Sequence, residues 1–178
     1  KEFGIGVADL VEGVTKIGNI KLTGSSDEEF VENLRKMLLA MAKDLRVVFI
    51  KLSDRLHNMS TLKFLPEVKQ QRISKETLEV YAPLAERLGI GKIKGDLEDL
   101  AFPFVYPEEY KWLMNYSCSF FNKAEEFLEK ANKEVYRVLA REGITNAKVY
   151  SRSKHFYSLW RKLLRPEIDR DITKIYDL

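Results

Sequence analysis

The stretch from Leu45 to Thr61, "LRVVFIKLSDRLHNMST", constrains the chain more than any other. It contains no turn residue, so it reads as one unbroken helix. On a helical wheel Leu45, Val48, Phe49, Leu52, Leu56 and Met59 share a stripe, while Asp54, Asn58 and Thr61 lie on the other side at i, i+4 and i+7. Val47, Ile50 and Leu65 fall close to that second face. The first half of the helix is therefore apolar all round, which predicts burial. Asp54 is expected to emerge from a packed helix into a cleft, where a carboxylate needs a cation or several donors. Two readings follow. Asp54 is either a core acid, paired with Arg55 or Arg46 or capping a neighbouring helix, or a ligand for a metal or substrate. His57 reads as a satisfied structural histidine.

The chain around this segment also reads mostly as helix. "SSDEEFVENLRKMLLAMAKD" opens with a capping box, Ser26 and Glu29, and continues with Val31, Leu34, Leu38 and Met41 at helical spacing. "PEVKQQRISKETLEVYAPLAERLG" predicts a helix that starts near Pro66 and stops at Gly89, kinked or shortened by Pro83. "KGDLEDLAFPFVYPEEYKWLM" predicts short helices broken by Pro103 and Pro107. "NKAEEFLEKANKEVYRVLAREG" predicts a long polar-faced helix ended by Gly143. The character then changes. "NAKVYS" and "ITKIYDL" predict strands flanking a helix over "KHFYSLWRKLL", the start of an α/β unit.

Composition fits a globular chain of one domain plus part of a second. Of 178 residues, 45% are hydrophobic and 32% charged, which excludes a disordered chain. A net charge of +3 gives little general attraction to nucleic acid. The single cysteine, Cys118, excludes an internal disulfide and fits a reducing cytoplasm. No apolar run reaches the length of about 18 residues that a membrane span needs, and no signal peptide opens the chain. The opening "KEFGIGVADLVEGV" starts with its apolar pattern already under way, so a fragment of a longer protein is expected.

Several strings carry a family resemblance. "VADLVEGVTKI", "RKMLLAMAKDLRVVFIKLSDRLHNMSTLK", "ETLEVYAPLAERLGI" and "LEDLAF" closely resemble the hydrolase domain of bifunctional RelA/SpoT-type enzymes, which make and destroy the alarmones ppGpp and pppGpp. "RSKHFYSLWRKL" followed by "IYDL" resembles the opening of that family's synthetase domain. The resemblance implies a helical His-Asp (HD) phosphohydrolase-type domain over residues 1–117, a connecting helix over 118–143, and the truncated start of an α/β nucleotidyltransferase-like domain over 144–178. It implies that Asp54 is one ligand of a Mn2+ ion, and that Asn58 and Thr61 line the nucleotide site of the hydrolase. The histidines, the paired Asp and the Glu-Asp pair of the family precede "EFG", and neither His57 nor His155 matches them. One carboxylate does not hold a catalytic metal, so this chain alone is expected to be inactive.

In the second region, Lys154, Ser158, Arg161 and Arg165 fall on one helical face if Ser153 is the N-cap, with Lys162 at its edge. Phe156, Leu159, Trp160 and Leu163 fall on the other. Such a cationic stripe is either a solvated face or a phosphate site. The resemblance implies that Arg152 and Lys154 contact ATP phosphates. His155, Ser158 and Lys162 match the motif positions that follow, and Asp177 matches a Mg2+ ligand. The implied ligands are ppGpp, pppGpp, ATP and GDP or GTP. Ribosomes or regulatory proteins are implied as partners through C-terminal regions, and no membrane. Departures exist: Ser60 stands where the family usually has Arg, Gly95 where Trp is common, and Ser151 and Ser153 where Gly and Pro are usual. Two alternatives remain at this point: a silent regulatory or scaffold fragment, and a monofunctional HD-superfamily nucleotide phosphohydrolase.

Overall fold

A computed structural model describes residues 3–18, 44–151 and 154–175, with the single positions 31, 32, 35 and 39 between them. The described part is helical: α1 (Ile5–Gly18), α2 (Leu45–Ser60), α3 (Glu67–Glu76), α4 (Ala82–Arg87), α5 (Gly91–Val105), α6 (Pro107–Arg141) and α7 (Phe156–Leu163). It divides by packing into two compact units, Lys1–Val105 and Tyr106–Leu178. Helix α6 lies wholly within the second unit. The capping box at Ser26 and Glu29 lies outside the described residues, as do Arg152, Ser153 and Asp177.

In the first unit, α2 begins where Asp44, in extended backbone, accepts a hydrogen bond from the Arg46 N–H at 2.9 Å. The Arg46 guanidinium closes on the same carboxylate at 2.7 Å. These bonds, the side-chain one foremost, hold the Asp44 carboxyl below its ordinary range. Pro66 precedes α3, so the missing proline N–H falls where a helix leaves N–H groups unpaired anyway.

Pro83 does not end the helical path. A single π turn, Thr77–Tyr81, joins α3 to α4, and the Ala82 N–H reaches back five residues to the Thr77 carbonyl. A proline at position 83 cannot donate to the carbonyl four residues back and its ring crowds it; the wider turn just before accommodates both. Gly89 then stops α4 with a φ of +74°, a conformation that favours glycine. The Gly89 N–H bonds the Glu86 carbonyl at 3.0 Å and the Ile90 N–H bonds the Ala85 carbonyl at 2.9 Å, so the helix ends in a Schellman motif.

Pro103 also fails to break its helix. It lies two residues before the end of α5. An interior proline costs about 3 kcal/mol, but burying one large apolar side chain contributes about 1.5–3 kcal/mol. Leu97, Ala101 and Phe102 of α5 are all fully buried, so packing prevails over the local preference. Pro107 starts α6 rather than interrupting it, with Glu108 and Glu109 in the first turn where the helix dipole favours acids.

Helix α5 packs against α2, α3, α4 and the π turn, and α1 packs against α2. The α1–α2 contact is close at Gly13, where a β-carbon would lie 2.9 Å from Val47 Cγ2. Val47, Val48, Leu52 and Met59 of α2 enter the core with Leu62, Val80, Tyr81, Leu84 and Leu97. The prediction that the first half of α2 is buried all round is corrected. Leu45, Phe49 and Ile50 are exposed: the described helices cover α2 on one side only.

In the second unit, α7 buries Tyr157, Leu159, Trp160 and Leu163. Tyr106 packs on Trp160 with ring centroids 4.8 Å apart, an aromatic contact between the start of α6 and α7. Helix α6 ends in a second Schellman motif at Gly143 (φ +76°), with Ile144 N–H bonded to the Leu139 carbonyl at 2.8 Å. Neither predicted strand forms among the described residues. Residues 147–150 are irregular, and the Val149 N–H donates to Tyr136 Oη at 3.1 Å instead of to a neighbouring strand. Ile172–Lys174 is a 3₁₀ turn capped by Asp171, whose Oδ1 accepts from the Thr173 N–H at 3.0 Å. Alternating apolar residues make a strand only when a second strand takes up their backbone groups.

One charged contact spans the core of the first unit. Arg55 Nη2 lies 3.0 Å from Glu76 Oε1, with side chains only 12% and 10% exposed. The guanidinium also sits 4.0 Å from the centroid of the Tyr81 ring. Removing one partner of such a pair leaves the other charged and desolvated. Glu76→Ala is therefore expected to destabilise the unit by about 3 kcal/mol or more, read from urea denaturation. The double change Arg55→Met with Glu76→Leu is expected to recover most of that loss. A second expectation concerns Asp44. Its lowered carboxyl pKa gives stability that is present above the ordinary carboxylate pKa and is lost as pH falls through the folded value. Asp44→Asn keeps the cap but not the charge, so denaturation midpoints should fall less steeply on acidification than in the parent chain.

Candidate functional site

Helix α2 brings Asp54, Asn58 and Thr61 to one face, as their spacing predicts. Asn58 Nδ2 donates to Asp54 Oδ1 at 3.3 Å. Lys51 Nζ donates to the other carboxylate oxygen, Oδ2, also at 3.3 Å. Thr61 ends the helix, and its hydroxyl donates to the carbonyls of His57 and Asn58, each at 3.3 Å. The His57 carbonyl also accepts from Ser60 Oγ at 2.7 Å.

Two expectations about Asp54 are corrected. Its side chain is 48% exposed, not walled by α2's apolar residues, because Leu45, Phe49 and Ile50 are themselves exposed. Its cation is neither Arg55 nor Arg46. Arg46 is held by Asp44, two residues away, and Arg55 turns inward to Glu76. The partner the sequence reading missed is Lys51, and its i,i+3 spacing was the available signal.

Asp54 suits one oxygen ligand of a hard divalent ion. Among the described residues, no three His, Cys, Asp or Glu side chains gather into a set that holds a metal. Asp54 with Asn58 is thus at most one edge of a metal centre, and a complete centre needs ligands from elsewhere.

The second candidate group is split by the helix boundary. α7 starts at Phe156 with His155 as N-cap and without a side-chain cap bond. Lys154 and His155 therefore precede the helix, and Arg165 follows it. Ser158 and Lys162, four residues apart, share a face of α7. Lys154, His155, Ser158 and Lys162 are partly buried, and each already engages a partner within the protein. The continuous helical stripe predicted from Lys154 to Arg165 is thus reduced to these inner positions. The helix spans only eight residues, and the aromatic packing of Tyr157 and Trp160 against Tyr106 sets its orientation within the unit.

Comparison with known proteins shows what the whole chain resembles. The chain is 48% identical over 169 residues to the guanosine-3′,5′-bis(diphosphate) 3′-pyrophosphohydrolase of Aquifex aeolicus, a match covering 94% of this chain and 24% of that protein. It is 45% identical over 163 residues to the enzyme of the same name in Haemophilus influenzae, covering 92% of this chain and 24% of that protein. It is also 44% identical over 178 residues to the GTP pyrophosphokinase of Streptomyces coelicolor, covering the whole chain and 20% of that protein. The chain therefore spans a quarter or less of the length of these curated relatives. The HD domain profile matches residues 1–91, which include α2 and the face that carries Asp54, Asn58 and Thr61. Over half its length, and with the α2 face inside the matched region, the chain belongs to the HD domain family.

Proposed function

We propose that this chain is part of an enzyme of alarmone metabolism, with a hydrolase that removes the 3′-pyrophosphate of ppGpp and pppGpp and a synthetase that transfers the β,γ-pyrophosphate of ATP to the 3′-hydroxyl of GDP or GTP. The observation that carries this reading is the breadth of the similarity. Relatives named for hydrolysis and relatives named for synthesis both match over more than nine-tenths of the chain. The HD match over residues 1–91 supports hydrolysis as the activity of the first part.

In this reading residues 1–117 belong to the hydrolase domain, 118–143 connect, and 144–178 open the synthetase. Asp54 is one ligand of Mn2+, which when bound supplies an activated water. Asn58 holds the Asp54 carboxylate at Oδ1, and together with Thr61 it lines the nucleotide side of α2. Arg152 and Lys154 hold ATP phosphates, His155, Ser158 and Lys162 extend that surface along the start of α7, and Asp177 contributes to a Mg2+ site. Positioning and charge neutralisation do most of the work in such a phosphoryl transfer. The setting is the cytoplasm, where the nucleotide substrates are found.

Three variants of the full-length protein test the allocation. Asp54→Asn keeps the shape of the side chain and removes its charge. It should lower Mn2+ affinity and ppGpp hydrolysis by at least the roughly 10–100-fold that losing an outer-shell partner of a metal ligand costs, with helical circular dichroism unchanged; parental hydrolysis rates would refute the assignment. Arg152→Lys keeps the charge but loses the bidentate fork suited to phosphate, so synthesis should fall while hydrolysis persists. Asp177→Asn should abolish metal-dependent synthesis and spare hydrolysis. Loss of hydrolysis with synthesis retained in the Asp177 variant would show that the two sites have been assigned to the wrong halves.

A further inference from the structure

The inner stripe of α2 runs through Val48, Leu52, Arg55 and Met59, which recur at helical spacing. Val48 and Met59 are 2% exposed and Leu52 is 0% exposed. Arg55 is the charged member of this stripe and sits between its apolar members. Its guanidinium meets Glu76, the last residue of α3, at 3.0 Å, with side chains 12% and 10% exposed. It also lies 4.0 Å from the centre of the Tyr81 ring, at the end of the π turn.

We infer that Arg55 and Glu76 are positioning residues for the hydrolase. Their pairing sets the rotation of α2 about its axis and so aims Asp54, Asn58 and Thr61 at the nucleotide, while both residues stay on the core side of the helix. This inference rests on the reading of Asp54, Asn58 and Thr61 as the hydrolase face, and deepens it.

Stability alone does not call for this pair. Apolar side chains of similar volume in place of a buried ion pair are often neutral or stabilising, and the best-attested use of a buried polar group is to specify register. Apolar attraction has no direction, so an apolar stripe holds a helix only loosely in rotation. The stripe on α2 is broad, with Val47 and Leu56 also packed on the core. A guanidinium is directional: its fork must meet the carboxylate and its plane the ring. Of the inner residues of α2, Arg55 therefore discriminates best between neighbouring rotations.

The candidate face is tied to Arg55 through the helix itself. At about 100° per residue, Asp54, Asn58 and Thr61 lie roughly 100°, 60° and 120° round α2 from Arg55, all in the same sense. Side chains reach about 5–6 Å from a helix axis, so a rotation of about 20° moves their ends by about 2 Å. A misplacement of about 1 Å at a reacting centre can cost about a hundredfold in rate. Loss of rotational definition therefore reduces hydrolysis well before it unfolds the helix.

The test uses the full-length protein and separates stability from positioning. The double variant Arg55→Met with Glu76→Leu should keep a urea midpoint near the parent's, yet its kcat for ppGpp hydrolysis should fall about 10–100-fold. Synthesis by the same polypeptide should stay at the parental rate. A readout independent of turnover is the Asn58 side-chain amide signal in protein labelled with 15N-asparagine, which should shift, broaden or split in the double variant. Arg55→Lys keeps the charge and the pairing but loses the fork and its stacking on Tyr81. Its kcat should lie between those of the parent and the double variant, and it decides the matter alone if the double variant does not fold. Parental kcat in the folded double variant, or in Arg55→Lys where only that variant folds, overturns the inference. So does a reduced kcat with the Asn58 signal unmoved. Asp54→Asn separates the two claims. If it loses hydrolysis while the pair variants match the parent, only the positioning role fails. If it hydrolyses ppGpp as the parent does, the hydrolase face and its positioning fall together.

Discussion

Arg55 places a permanent charge inside the contact between α2 and the helical path that follows, and that charge dictates the packing around it. Taking a guanidinium out of water is tolerated only with a counter-charge and good geometry. Glu76 supplies the first at 3.0 Å, and the Tyr81 ring adds a face at 4.0 Å. These partners belong to the end of α3 and the π turn. Rotating α2 by a single residue, about 100°, would take Arg55 away from both. The pair therefore fixes the rotation of α2 about its axis. With Arg55 inward, its neighbour Asp54 is carried outward, with Asn58 and Thr61 above it. A buried ion pair behind the candidate face thus helps decide where that face points.

The π turn serves the same contact. Thr77 lies within it, fully buried, and its hydroxyl donates to the Ile73 carbonyl at 2.7 Å and approaches Met59 Sδ at 3.3 Å. Tyr81 closes the turn and lies under Arg55. The widening that accommodates Pro83 is therefore also where the second helical path meets α2. A regular α-helix through this stretch would turn Tyr81 to another angle relative to Glu76. The local requirement of one proline and the long-range requirement of one buried arginine are met by the same irregular turn.

Much of this was legible in the sequence, and the failures have identifiable causes. Pro66, Gly89 and Gly143 mark helix ends because their effects are local: a fixed φ and missing N–H for proline, an easy positive φ for glycine. The face shared by Asp54, Asn58 and Thr61 follows from helical periodicity alone. Pro103 misled because the burial of Phe102 and its neighbours offset a local preference. The residues from Asn146 to Ser151 misled because strand formation depends on a partner. Without one, Val149 finds a tyrosine hydroxyl on α6 instead.

By itself the sequence determined that the chain is built of helices, roughly where they start and stop, and which side chains share the α2 face. Those properties depend on residues within a few positions of one another. It also carried the strings that tie the chain to its relatives, and these need no coordinates. Only the tertiary structure decided that Arg55 pairs with Glu76 and is buried there. Arg46, Lys51 and Arg55 lie within ten residues of one another, and the sequence offered Asp54 as a partner to two of them. The fold gave Arg46 to Asp44, Arg55 to Glu76 and Lys51 to Asp54. The reason is distance: Asp44 and Asp54 lie within three residues of their cations, whereas Glu76 is 21 residues from Arg55 and reaches it at 3.0 Å, away from water, only because the fold brings the end of α3 against α2.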